Sequence, residues 1–169
     1  MNKCIYLIFI LISCNREINC KITPIDKHII DVKSFSNDVF LENSNGVMKK
    51  LKVEYFYNEI INNQKKSILN NEECGHYIGV NYLLEKESIG VNIVKDKSNI
   101  YYYKINGFCF DEEYIFNEKQ IKTPKEIKIK ITLCHNKTSL KSITLKGFKI
   151  ISIETLDGNT YFLAGPSVF

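Results

Sequence analysis

The chain has 169 residues, 23 basic against 19 acidic, and a formal charge of +4. Lysines and glutamates alternate without forming a basic block, which excludes a nucleic-acid footprint and leaves a mixed, solvated surface. Six cysteines make the redox compartment the first question.

The chain opens MNKCIYLIFILISC. Ten apolar or small residues run from Cys4 to Ser13. As a helix they cover roughly 15 Å, half of a bilayer's hydrocarbon core, too little for a membrane span. A positive start with Lys3, an apolar stretch and a small closing residue make a secretory signal. Leu11-Ile12-Ser13-Cys14 resembles the lipobox of bacterial membrane lipoproteins. The resemblance implies cleavage before Cys14, loss of residues 1–13 as a signal peptide, and a diacylglyceryl thioether on Cys14. It also implies an extracytoplasmic address at the cell envelope, anchored in the membrane by two or three acyl chains at ~0.8 kcal/mol per buried CH₂. Asn15 is not the aspartate that resembles an inner-membrane retention signal in enteric bacteria. An outer-membrane, periplasm-facing position is therefore favoured if the source is Gram-negative.

Residues 14–26 (CNREINCKITPID) are polar, without period, and read as a tether with a reach of roughly 40 Å. Residues 27–169 read as one β domain. Period-two alternation dominates there. Leu51, Val53, Tyr55 and Tyr57 alternate on one face, as do Ile78, Val80 and Tyr82, then Ile89, Val91 and Ile93. Ile127, Ile129, Ile131 and Leu133 oppose Lys128, Lys130 and Thr132, and Ile151 and Ile153 continue the pattern. Asn45-Gly46 and Asp157-Gly158 are hairpin dipeptides, and Asp96–Asn99, Asn106-Gly107 and Lys146-Gly147 add turn or bulge signals. Only 58–71 (NEIINNQKKSILNN) shows a ragged helical stripe, compatible with a short helix or a long loop. No internal repeat, low-complexity tract or second-domain boundary stands out. The fold class expected is mainly β, a single antiparallel β-sandwich, Ig-like or related, with one short helix near 58–71.

No G-x-S-x-G, H-E-x-x-H, P-loop or G-x-G-x-x-G motif occurs. Apart from Cys14, the exported chain keeps Cys20, Cys74, Cys109 and Cys134, an even number consistent with two disulfides in any of three pairings. Cys74, His76, Cys134 and His135 are the metal-ligand candidates, but an oxidising compartment favours disulfides over zinc. No metal, catalytic residue or cofactor other than the covalent lipid is expected. Asp111-Glu112-Glu113 reads as a solvated turn, not a calcium loop. Consecutive aromatics at 55–57 and at Tyr101, Tyr102 and Tyr103 must face both sides of a sheet. One side is core, and an outward tyrosine is an interface candidate. The functional expectation is a lipid-anchored envelope protein with a non-enzymatic binding role. Its partners would be the membrane, through the anchor, and an envelope protein. A toxin-neutralising immunity protein or an envelope assembly factor would fit that description. The alternative is an envelope enzyme or metal-binding protein using the Cys and His residues.

Overall fold

The computed structural model describes residues 17–19, 21–27, 29–61, 63–65, 74–107, 109–122, 125–131 and 138–165. Short strands joined by tight turns make up most of them. In chain order the elements are β1 (Glu17–Asn19), α1 (Val32–Phe35), β2 (Val39–Asn43), β3 (Met48–Ile61), β4 (Asn63–Lys65), β5 (Gly75–Leu84) and β6 (Glu87–Asp96). They continue as β7 (Tyr101–Gly107), β8 (Phe110–Phe116), α2 (Glu118–Lys122), β9 (Glu126–Lys130), β10 (Leu140–Lys146), β11 (Lys149–Thr155) and β12 (Thr160–Leu163).

Ten strands form one antiparallel sheet in the order β8-β7-β6-β5-β3-β2-β12-β11-β10-β9, and the sheet is nearly barrel-shaped. The mainly β, antiparallel expectation holds; the two separate sheets of a sandwich are replaced by one continuous sheet. The physical reason is β3. Its first part pairs with β2 and its second with β5, so one long strand carries the ladder across what would be the gap between sheets. The two edge strands, β8 and β9, are consecutive in the chain, and α2 bridges them with Ile121 buried. A cavity of about 250 Å³ lies along this seam, lined by Phe116, Ile121, Ile127 and Phe148 among others.

Alternation chose the inner face correctly on β5 and β6. Ile78, Val80, Tyr82, Ile89, Val91 and Ile93 are all buried in one core with Leu41, Leu51, Ile129, Ile143 and Ile153 from the other half of the sheet. Two register shifts changed the rest. On β3 the shift between Val53 and Tyr55 makes Glu54 an extra residue. Leu51 therefore faces in, while Tyr55 and Tyr57, expected on the same face, turn outward and Phe56 takes the inner position. On β11 a shift buries Ile150 with Ile153 and leaves Ile151 half-buried. Residues 58–61 belong to strand β3 and 63–65 to β4, so the helix expected near 58–71 is not formed there; their β-pairing partners β5 and β1 override a weak helical stripe. Asp111-Glu112-Glu113 is exposed on strand β8, not in a turn. Gly46 and Gly158 do sit in the hairpin turns marked by their dipeptides, at φ of 76° and 85°.

The expected tether does not run free over its distal half. β1 pairs with β4, and Ile22 and Ile25 are buried. The chain then carries Ile30 and, from the short α1, Phe35 into the core, where the Tyr82 hydroxyl donates to the Phe35 carbonyl at 2.6 Å. Apolar side chains spaced along an otherwise polar segment supply the docking energy. The inner face thus packs against the other half of the sheet, with Ile25, Ile30 and Phe35 of the N-terminal segment joining the same core, and the opposite face of β3, β5, β6 and β7 is its outer face.

Candidate functional site

Antiparallel register places outward residues of neighbouring strands side by side, so the convex face can be read in rows. One row is Tyr57, Gly79, Asn92, Lys104 and Glu113. The next, on one side, is Tyr55, Asn81, Gly90, Asn106 and Asp111; on the other side it is Glu59, Tyr77, Val94, Tyr102 and Ile115. Charges stand at the margins, and the centre holds tyrosines, asparagines and two glycines.

The glycines are needed for room. A Cβ on Gly79 would lie 2.2 Å from the Tyr57 ring, so that ring rests on bare backbone. A Cβ on Gly90 would lie 2.2 Å from Asn106 Oδ1. The Tyr57 hydroxyl donates to Asn92 Oδ1 at 2.9 Å, and Asn92 Nδ2 points to Asn106 Oδ1 at 3.5 Å. Ser88 donates to Asn81 Oδ1 at 2.8 Å, while Asn81 Nδ2 donates to Glu54 at 2.5 Å. Tyr55 stacks on Tyr57 with centroids 6.5 Å apart and is 56% exposed; Ile115, at the far end, is 61% exposed. Burial, with smaller contributions from Tyr55 and Glu59, raises the Tyr57 pKa, so the hydroxyl stays neutral and protonated. The result is a hydrogen-bonded surface with a tyrosine and asparagine centre, charges at its margin and projecting aromatic area, suited to recognition by contact.

Of the tyrosines singled out from sequence, Tyr101 and Tyr103 point into the core. Tyr103 meets Phe148 edge-on at 5.1 Å. Tyr102 alone of the three faces outward, half-buried between Val94 and Ile115. Tyr77, Asn81, Asn92 and Asn106 were not expected at a site. One repeat escapes the sequence reading and marks the place: Ile78-Gly79-Val80-Asn81 and Ile89-Gly90-Val91-Asn92. In the β5–β6 hairpin each glycine falls opposite the other copy's asparagine.

His76 is buried at the opposite, inner face of β5. Its Nδ1 accepts the Ile25 N–H at 2.7 Å, which fixes the ring proton on Nε2, 2.6 Å from Asn58 Oδ1. Burial, then the nearby Lys95, lowers its pKa. Both ring nitrogens are engaged, so this histidine offers no lone pair to a metal. Among the described residues no group of three or more Cys, His, Asp or Glu could hold a metal ion. Cys74 and Cys109 are not free thiols. Cys14, Cys20, Cys134 and His135 lie outside the described residues, as does the lipobox. No described helix is long and apolar enough to cross a membrane.

No protein family, curated protein or solved structure matches the chain.

Proposed function

We propose that the protein is a membrane-tethered envelope lipoprotein that binds a protein partner through the convex face of β3, β5, β6 and β7, without catalysis. The observation that carries the binding role is the Tyr55–Tyr57 stack laid on Gly79, with an ordered asparagine lattice beside it and Ile115 projecting beyond. Tyrosine buries large area at low entropic cost and keeps a polar tip, which suits a protein interface. Ile115, 61% exposed on β8, adds apolar area at the far margin of the same face. The address rests on Leu11-Ile12-Ser13-Cys14. Inhibition of a delivered toxin and assistance in envelope assembly are the two roles that match this address and this surface. The enzymatic or metal-binding alternative draws no support from His76, whose nitrogens are both occupied.

The test is affinity capture from envelope extract with the mature chain beside Tyr55→Ala and Ile115→Ala. A protein retained by the wild type and released by both variants supports the reading. Retention unaffected by either variant overturns the assigned face. The address is tested separately: Cys14→Ser should abolish fatty-acid labelling, and unchanged labelling removes the anchor.

A further inference from the structure

We propose that the open seam of the sheet binds one unbranched acyl chain with an anionic head, the chain inside the seam and the head at Lys125. The site lies on the inner side of the sheet, apart from the Tyr55–Tyr57 surface. It depends neither on the address nor on the partner proposed above.

The inner face is filled unevenly. Its positions on β5 and β6, such as Ile78, Val80, Ile89 and Val91, are excluded from water. On the two edge strands they are not: Tyr114 and Phe116 of β8 and Ile127 of β9 pack against the core but stay partly exposed. β8 and β9 stand at opposite ends of the strand order, and α2 crosses the gap with one buried side chain, Ile121. The sheet is thus short of apolar volume where its two edges meet.

The space left there suits a chain. The seam cavity of about 250 Å³ has Phe116, Ile121, Ile127 and Phe148 as its apolar walls. A second cavity, of about 240 Å³, adjoins it at Ile121, Gly147 and Phe148 and extends to Ile29, Ile30 and Phe35. At about 30 Å³ per non-hydrogen atom, the share of a water molecule in the liquid, each takes about eight atoms. Either cavity alone is below the size of a drug-like site. The two in series take one chain and not a two-chain lipid. Their walls are phenyl and branched aliphatic carbon, so buried methylenes supply the affinity, about fourfold each.

The charges at the two mouths place the head. Gln120 and Lys125 are the polar side chains lining the first cavity. Among the described residues no carboxylate lines it, and Lys125 forms no ion pair. The second cavity has Lys146 and Lys149 but also Asp31, and Glu126 engages Lys146 at 3.7 Å. An anion is therefore favoured at Lys125, with the chain running inward past Ile121 and Phe148. Lys125 is exposed, so its ion pair orients the ligand and adds no more than about fivefold to affinity.

Isoleucine-methyl NMR of the full chain in phosphatidylcholine nanodiscs, titrated with decanoate, is the test. Decanoate should shift Ile121 and Ile127 saturably and leave Ile78 and Ile89 in place. Hexanoate, four methylenes shorter, should need more than about ten times the concentration. Lys125→Ala, at an exposed position, should weaken decanoate about two- to fivefold, and Lys125→Arg should restore it. Ile127→Phe, which fills the first cavity, should weaken it further. Lysophosphatidylglycerol with a single decanoyl chain separates the sources of such a ligand. Shifts with both probes assign single-chain anionic lipids; shifts with decanoate alone assign the free acid. No saturable shift at Ile121 and Ile127 overturns the proposal. So does hexanoate binding as tightly as decanoate, or decanoate affinity unchanged in Lys125→Ala.

Discussion

The two faces of the β5–β6 hairpin are written by the same repeated tetrapeptide and end with opposite properties. The branched members, Ile78, Val80, Ile89 and Val91, all turn inward and are excluded from water. The intervening Gly79, Asn81, Gly90 and Asn92 turn outward and make a trough in which Tyr57 and Asn106 lie flat. The inner face is held by volume, packed against the other half of the sheet with Ile25, Ile30 and Phe35 added to the core. The outer face is held by hydrogen bonds and by the absence of two Cβ atoms. One strand pair thus spends its hydrophobic residues on stability and its small polar ones on a surface.

That division predicts unequal responses to truncation. Ile93→Ala, at a fully buried inner position, should cost about 2–5 kcal/mol in denaturant unfolding. Tyr55→Ala, on the other face of the sheet, should stay within about 0.5 kcal/mol while releasing the partner. Equal losses at the two positions would break the comparison. Gly79→Ala is the intermediate case. Its methyl must displace the Tyr57 ring, at about 1–3 kcal/mol. In Gly79→Ala combined with Tyr57→Ala the clash is gone, so the double variant should be no less stable than Tyr57→Ala alone. A fully additive cycle would show that the ring does not rest on the glycine.

Much of the inner face was legible because packing one face of a strand pair into the core imposes strict alternation, as in Ile78 to Tyr82 and Ile89 to Ile93. The outer face was not, and β3 shows why. Leu51, Val53, Tyr55 and Tyr57 alternate without a break, yet the bulge at Glu54 reverses the face after two of them. A bulge is set by pairing with β2 on one side and β5 on the other, which no local pattern encodes. The sheet's continuity escaped for the same reason, since it depends on β3 serving two partners. Ile60, Ile61 and Gln64 read as a helical stripe because strand pairing with β5 and β1 is a long-range property. Nothing local marks Gly79, and only register reveals that it meets Asn92.

The inner face also carries a buried histidine, His76, and it gives a pH test. The His76 pKa lies below its ordinary 6.5, by burial first and Lys95 second. The unfolded chain therefore takes the proton before the folded one does. Stability should be level above pH 6.5 with respect to this group and fall as pH drops below that value toward the folded pKa. The slope is at most about 1.4 kcal/mol per pH unit. Protonation places a hydrogen on Nδ1 where the Ile25 N–H now donates, so the segment around Ile25 should loosen first. Amide exchange at Ile25 should quicken over that window in the wild type and become pH-independent, after correction for intrinsic exchange, in His76→Gln. A wild-type profile unchanged across the window would mean that His76 does not secure the segment around Ile25.

The smallest effect probes the outer lattice itself. Tyr57→Phe removes one hydroxyl and leaves the ring on Gly79, so the only interaction lost is the 2.9 Å bond to Asn92. For a half-buried neutral pair, with Asn92 Oδ1 able to turn to water, the cost should be about 0.5–1.5 kcal/mol. Because burial, then Tyr55 and Glu59, raises the Tyr57 pKa, the hydroxyl donates throughout the neutral range and the cost should not vary between pH 6 and 8. A spectrophotometric tyrosine titration supplies the independent check: relative to the wild type, Tyr57→Phe should lose one late-titrating group and none of the early ones. If the variant instead loses an early group, the Tyr57 hydroxyl is solvated, the bond to Asn92 does not order the face, and the convex surface is adaptable where we describe it as preformed.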